Sequence, residues 1–184
     1  MDSQRHLMLT PDSVRREDIA TDLGLAIIAT DGLSALTPQA VGARCGYTRQ
    51  AVHQWFGGHQ ELRWVVANVL GVRWSRWVDV RAHMDGLPGF LPDCDEVLGW
   101  CRAWLAVVEH APRDPRIAAV VDAVRHTERQ VIAALLSSDP ESDRVVGCHA
   151  LVEGLRWALS APEPDISHDR AGRLLSAAVP FLVA

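Results

Sequence analysis

Between Leu36 and Phe56 the chain starts a helix, stops it and starts another, and this punctuation limits the possible folds more than any other feature. Thr37-Pro38 is a start signal, a hydroxyl that can cap free backbone N–H groups followed by a proline at the first helical position. Gly46 stands where a tight turn needs positive φ. Thr48 caps a second start, and Gly57-Gly58 ends it. The reading is one short helix ending near Cys45 and another from about Arg49 to Phe56. Helices this short do not hold alone in water, so both must pack on flanking elements. Two short helices joined by a three-residue turn containing glycine make a helix-turn-helix.

The rest of the chain also reads as helix. No segment alternates apolar and polar residues with β-branched enrichment, so no sheet is expected. A first helix is predicted from about Ser13 to Asp31, after a loose arm over residues 1–12. Ser13 is its cap, Glu17 and Asp18 lie early in it, and Ile19, Leu23, Ala26 and Ile27 form its buried stripe. A long helix follows from about His59 to Arg81, with Leu62, Val66, Val69, Arg73 and Trp77 on one face and Val65, Leu70 and Trp74 beside it. Leu87–Asp95 is a Pro/Gly break. Further helices are read over about Asp95–His110, Arg116–Ser137 (a short piece and then a longer one), Glu141–Ser160 and His168–Leu182. The expectation is an all-α chain of about nine helices.

Charge is distributed unevenly over the 184 residues, whose net value is −5. Residues 1–81 hold 9 Arg and 8 acids, and residues 82–184 hold 9 Arg and 15 acids. Within residues 44–81 there are 6 Arg and 2 acids, a basic patch on an acidic body. That pattern fits contact with a polyanion at one place rather than indiscriminate coating of DNA. There is no lysine, so arginine usage alone is no argument for nucleic acid. Cys45, Cys94, Cys101 and Cys148 show no C-x-x-C pairing and are read as reduced, three or four of them buried, in a cytoplasmic protein. No apolar run approaches the ~18 residues of a spanning helix, and the first residues lack the apolar stretch of a secretory signal.

The residues from Leu36 onward resemble the start of a tetracycline-repressor (TetR) family regulator. The match runs through Leu36-Thr37, Val41-Gly42, Gly46-Tyr47-Thr48, Ala51-Val52-His53, Trp55-Phe56, His59 and Leu62, within about Val14 to Leu70. The resemblance implies a helix-turn-helix DNA-binding domain over residues 1–57 and a ligand-sensing and dimerisation domain over 58–184. Thr37, Thr48, Arg49, Gln50, His53, Gln54, Trp55 and His59 become the candidate DNA contacts. Thr37 and Thr48 sit at helix N-termini, which favour a phosphate. Arg49 suits guanine and Gln50 suits adenine in the major groove, and Trp55 can donate one indole N–H. The family's usual Tyr and Lys are His53 and His59 here, weaker phosphate partners unless protonated.

For the second half the resemblance implies a small-molecule pocket and a homodimer. Trp74, Trp77, Trp100, Trp104 and Trp157, with His126, are the candidate ligand contacts, and the seven tryptophans against one tyrosine suit an apolar or aromatic effector. Core packing is the alternative use of the same rings. Gly147, Leu151, Gly154 and Ala158 share one face of the seventh segment, and Leu175, Ala178, Val179 and Leu182 belong to a broad apolar surface on the last. Both are candidate dimer faces, since two reading helices must stand about 34 Å apart on DNA.

Two other functions stay open. One is a helical interaction module that has lost DNA binding. The other is a metal-dependent helical enzyme, in which Asp122 and His126 would join His149 and Glu153. Ordinary ion pairing with Arg125 and Arg129 competes with that metal reading. The chain has no nucleophile elbow, phosphate loop or H-E-x-x-H motif, so no enzyme activity, metal or cofactor is expected.

Overall fold

The computed structural model describes residues 11–181, with side chains described from residue 21 onward. Eight α-helices follow one another: α1 Pro11–Asp31, α2 Pro38–Cys45, α3 Arg49–Phe56, α4 His59–Asp85, α5 Asp95–His110, α6 Pro115–Leu136, α7 Asp143–Ser160 and α8 His168–Ala178. There is no strand among the described residues. The expected arm falls largely on residues 1–10, outside the described part. Helix α1 begins two residues before Ser13, and the side chains of Ser13, Glu17, Asp18 and Ile19 also lie outside it.

The count is eight rather than nine because Pro115–Leu136 is continuous. Asp114 caps its start by accepting from Arg116 N–H at 2.9 Å, and no Gly or Pro interrupts it before Ser137. Helix α4 runs four residues past Arg81, since nothing breaks it before Gly86 and Ala82 still packs inward. Helix α7 begins at Asp143 rather than Glu141. Glu141 N–H and the Ser142 hydroxyl are bound by Asp139 in the preceding turn, at 2.8 and 2.6 Å. Helix α8 stops at Ala178 and tightens into a 3-10 turn, Val179–Phe181, where Pro180 has no N–H to offer an α-helix. Leu182 lies outside the described residues.

Local chemistry fixes the helix-turn-helix as the sequence suggests. Thr37 Oγ1 accepts from Ala40 N–H and Thr48 Oγ1 from Ala51 N–H, each at 3.1 Å. Gly46 closes α2 at φ 73°, a left-handed conformation that costs glycine little. Beneath these caps Leu36, Val41, Val52 and Phe56 are buried together with Leu62 and Val66 of α4. The first turns of α4 therefore complete the core beneath the helix-turn-helix.

The body is a layered stack in which α4 packs along α6, α1 along α5, and α7 against α5, α6 and α8. The inward face of α4 is Leu62, Val66, Leu70, Trp74 and Val78, while Val69, Arg73 and Trp77 sit half-buried on its flank. Among the described side chains of α1, Thr21, Gly24, Leu25, Ile27 and Ile28 are buried; of the expected stripe Ile27 is buried, Leu23 is half-buried and Ala26 faces outward. The break after α4 folds back onto it as a 3-10 turn, Leu87–Phe90. A Cβ on Gly89 would stand 2.3 Å from the Arg81 carbonyl oxygen. Gly89→Ala is therefore expected to cost about 1–3 kcal/mol by forcing this turn off α4, measured by chemical denaturation; an unchanged midpoint would show that the turn gives way freely. Cys101 and Cys148 are buried and Cys45 half-buried, but Cys94 is exposed, against the reading of at least three buried thiols.

Candidate nucleic-acid interface and sensor core

Helix α3 has two unlike sides. Val52 and Phe56 anchor it from below. Arg49, Gln50, His53 and Gln54 are all exposed and have no hydrogen-bond or ion-pair partner among the described residues, and Thr48 and His59 are exposed at the ends of this surface. Thr37 is half-buried at the start of α2. Trp55 is half-buried and meets Tyr47 edge-on, ring centroids 4.9 Å apart, which braces the corner between the turn and α3. The face can approach a duplex without first breaking internal contacts.

Most of the neighbouring basic charge is already engaged. Arg44 pairs with Asp31 at 3.2 Å, Arg73 with Asp22, and Arg81 with Asp85 and Asp93 at 2.9 and 2.6 Å. Arg63 donates to the Ser34 carbonyl oxygen at 2.6 Å. Of the six arginines in residues 44–81, only Arg49 and Arg76 lack a protein partner among the described residues, and Arg76 stands well along α4. The basic patch counted from the sequence thus narrows to the start of α3. Internal pairs keep α4 registered against α1 and the α1–α2 turn.

The tryptophans do not gather in one place. Trp74 and Trp104 are fully buried, Trp77 and Trp100 half-buried, and Trp157 is 48% exposed on α7. His126 is exposed on α6, 3.4 Å from the Gln130 amide. The centre of the body holds instead a charged network that the sequence reading missed. Glu128 Oε1 accepts from the Trp74 indole N–H and from Arg156 Nη1, both at 2.8 Å, and its Oε2 lies 2.8 Å from His149 Nε2. Arg156 Nε donates to the Phe90 carbonyl oxygen at 2.9 Å, and the guanidinium lies over the Trp74 ring at 4.7 Å. Burial by itself raises the Glu128 pKa. The Arg156 charge, followed by His149 and the Trp74 indole, outweighs burial and lowers it from 4.5 to about 2.

The residues considered for a metal part company. Glu153 pairs with Arg125 at 2.9 Å, His149 with Glu128, and Asp122 is exposed. No group of three or more His, Cys, Asp or Glu among the described residues is placed to hold a metal ion.

On the outer side of α7, Val146, Gly154 and Trp157 are exposed, while Gly147, Leu151 and Ala158 are half-buried. On α8, Leu175 is fully buried within the chain, contrary to its reading as an interface residue. Its neighbour Leu174 faces outward, with Phe181 beyond it and Ala178 and Val179 half-buried. Of the large apolar side chains exposed among the described residues, Val146, Trp157 and Leu174 lie on these two helices and Val72, Val80 and Met84 on α4. Among the described residues no helix is long and apolar enough to cross a membrane.

A helix-turn-helix with both helix starts capped is thus set on a helical body. Residues 81–183 match the family model described as the C-terminal part of BetI-type transcriptional repressors. The chain belongs to the TetR family of transcriptional regulators. Solved structures share the fold at low identity. A transcriptional regulator from Rhodococcus sp. Rha1 is 18% identical over 90% of this chain and 94% of its own, with a TM-score of 0.79. A TetR-like regulator from Rhodococcus sp. RHA1 is 17% identical over 90% and 93%, with a TM-score of 0.70. A protein from Saccharomonospora viridis solved in complex with choline is 14% identical over 91% and 96%, with a TM-score of 0.75. No curated protein matches the sequence.

Proposed function

We propose that this regulator is a cytoplasmic repressor that binds a palindromic operator as a homodimer and is released by a small apolar or aromatic effector. Residues 1–57 act as the reading head and 58–184 as the sensing and dimerising part. The observation that carries the reading is the outward face of α3, where Arg49, Gln50, His53 and Gln54 are exposed and unengaged among the described residues while Val52 and Phe56 fix the helix from beneath. The cap hydroxyls of Thr37 and Thr48, with Trp55 and His59, frame that face for phosphates on either side. The exposed apolar surface of α7 and α8 supports dimerisation through those helices, with Gly147, Leu151, Gly154 and Ala158 on one and Ala178 and Val179 on the other. A small-molecule effector is supported by the likeness of the body to a protein that holds choline.

Effector and operator are coupled by mass action between DNA-competent and incompetent states, without catalysis. Selection of bound duplexes from a random library tests the reading. A palindromic winner whose affinity falls steeply with salt is the expected result. Failure to enrich any sequence, with or without candidate effectors, would favour the interaction module that kept this fold and lost DNA binding. The engagement of most nearby arginines in internal pairs is the one observation on that side.

A further inference from the structure

A groove of about 710 Å³ runs where the reading head meets the body. One wall is the end of α1 with Gly32, the second a face of α5, and the third the end of α7 with Pro162. Its size lies within the range of small-molecule sites, about 300–1,000 Å³. The α5 wall is one helix face, Arg102, Leu105, Ala106 and Glu109 at i, i+3, i+4 and i+7. Its two charges therefore stand about 10 Å apart along the helix, opposite in sign, with apolar surface between them. Arg102 Nε donates to the Ser160 carbonyl oxygen at 3.1 Å, which holds the guanidinium at the mouth of the groove. The terminal nitrogens of Arg102 have no acceptor among the described residues, and neither does the Glu109 carboxylate have an ion-pair partner there. Trp157, 48% exposed, presents its ring to the same space. The centre of the body, by contrast, is filled by Trp74, Trp104, Glu128 and Arg156, all buried.

We infer that this groove is the effector site and that it takes an amphipathic molecule with one anionic end and a flat apolar body. The anion sits on the free donors of Arg102. The body lies between Trp157 and the Leu105–Ala106 surface. Glu109 repels a second anion and so fixes which way the molecule points. The location supplies the coupling. The α1 wall ends at Asp31, which pairs with Arg44 of α2 at 3.2 Å, so an occupant that parts α1 from α5 displaces the helix-turn-helix. That regulatory role rests on the repressor reading; the binding site itself does not.

The test therefore begins without DNA. The probe is 8-anilinonaphthalene-1-sulfonate, an anionic aromatic dye, followed by its fluorescence on the whole chain. Saturable binding at one dye per chain is expected. Arg102→Gln and Ala106→Phe should each weaken it at least tenfold. Ala123→Phe, which fills the separate groove between α4 and α6, should leave it unchanged. Ala29→Leu narrows the opposite wall and provides a second blocking variant should Ala106→Phe unfold, which thermal melting reveals. The proposal is overturned if both folded blocking variants bind as the parent does, if Ala123→Phe abolishes binding, or if the dye binds only when dilution separates a dimer that covers Trp157. If dye binds as expected but no operator emerges from selection, the groove stands and the repressor reading fails. If an operator emerges and the dye does not bind, the reverse holds.

Discussion

Glu128→Ala is expected to lower stability by about 3–5 kcal/mol, because it leaves the Arg156 guanidinium buried without its counter-charge. For a chain of this length that corresponds to a fall in Tm of roughly 6–20 °C. Arg156 is 1% exposed and its Nη2 has no partner among the described residues, so bulk solvent cannot reach the guanidinium to replace the carboxylate. The variant also removes the acceptor of the Trp74 indole and of His149. Replacing both charges, Glu128→Leu with Arg156→Met, should cost less than the first substitution alone, since no unpaired charge stays buried. The Trp74 indole and His149 lose their acceptor in both variants, and the double variant also strips the Phe90 carbonyl of its Arg156 donor, a penalty of about 1–3 kcal/mol. Denaturant titration of the three proteins decides the matter. A loss under 1 kcal/mol in Glu128→Ala would mean that the guanidinium finds another partner at once.

The same network sets an acid limit to stability. Burial opposes the charge on Glu128, but Arg156, His149 and the Trp74 indole prevail and hold its pKa at about 2, below the unfolded 4.5. A depressed folded-state value means that the contribution is complete above about pH 4.5 and is lost as pH falls towards 2. The difference is worth roughly 3 kcal/mol at neutral pH. Glu128→Gln, which has no proton to bind in this range, should therefore show a flatter stability profile between pH 5 and pH 2 than the parent, within about that amount. Equal slopes in the two proteins would count against it.

Reading the sequence succeeded where one residue type has one structural use. Thr37, Gly46 and Thr48 each have a backbone role that few residues fill, and all three stand in those roles with the expected partners. It did less well where a side chain has several possible environments. A tryptophan at helical spacing packs equally well inside or at a surface, and the fold divides the set between the two. Single positions were misplaced where apolar residues are crowded, as Ala26 on α1, which faces outward, and Leu175 on α8, which is buried within the chain. The charge count over residues 44–81 gave sign but not availability, because Asp22, Asp31 and Asp93 lie far from their arginines in sequence. The central network did leave a trace. Glu128 stands in register with Val121, Val124 and Ile132, and Arg156 with Val152 and Leu159, each a charge set in a buried stripe. Two such interruptions on helices that pack together are a signal for a buried pair. The Phe90 carbonyl and the groove at the head–body junction left none, since both depend on how distant segments meet.

Replacing Arg49 and Gln50 together by alanine is expected to abolish sequence preference on DNA while leaving the fold intact. Both side chains are exposed and unpartnered among the described residues, so their loss breaks no internal contact. Helix α3 keeps its Thr48 cap and its Val52 and Phe56 anchors. A bidentate contact from Arg to guanine or from Gln to adenine is worth about 1–3 kcal/mol of discrimination. Losing two such contacts weakens specific binding by at least roughly thirtyfold, and a dimer that reads two half-sites loses more. Non-specific affinity should fall less than specific affinity, since the proposed phosphate contacts of the cap hydroxyls, the helix N-termini and His59 are kept while one free charge is lost. Arg44→Ala is the fitting comparison. Its guanidinium is held by Asp31, so its removal should cost less specific affinity than the Arg49 and Gln50 pair despite carrying the same charge. Binding of the selected duplex and of a scrambled one, measured for parent and variants, separates these outcomes. If the double variant still prefers the selected sequence, the reading surface lies elsewhere and the exposed face of α3 serves another contact.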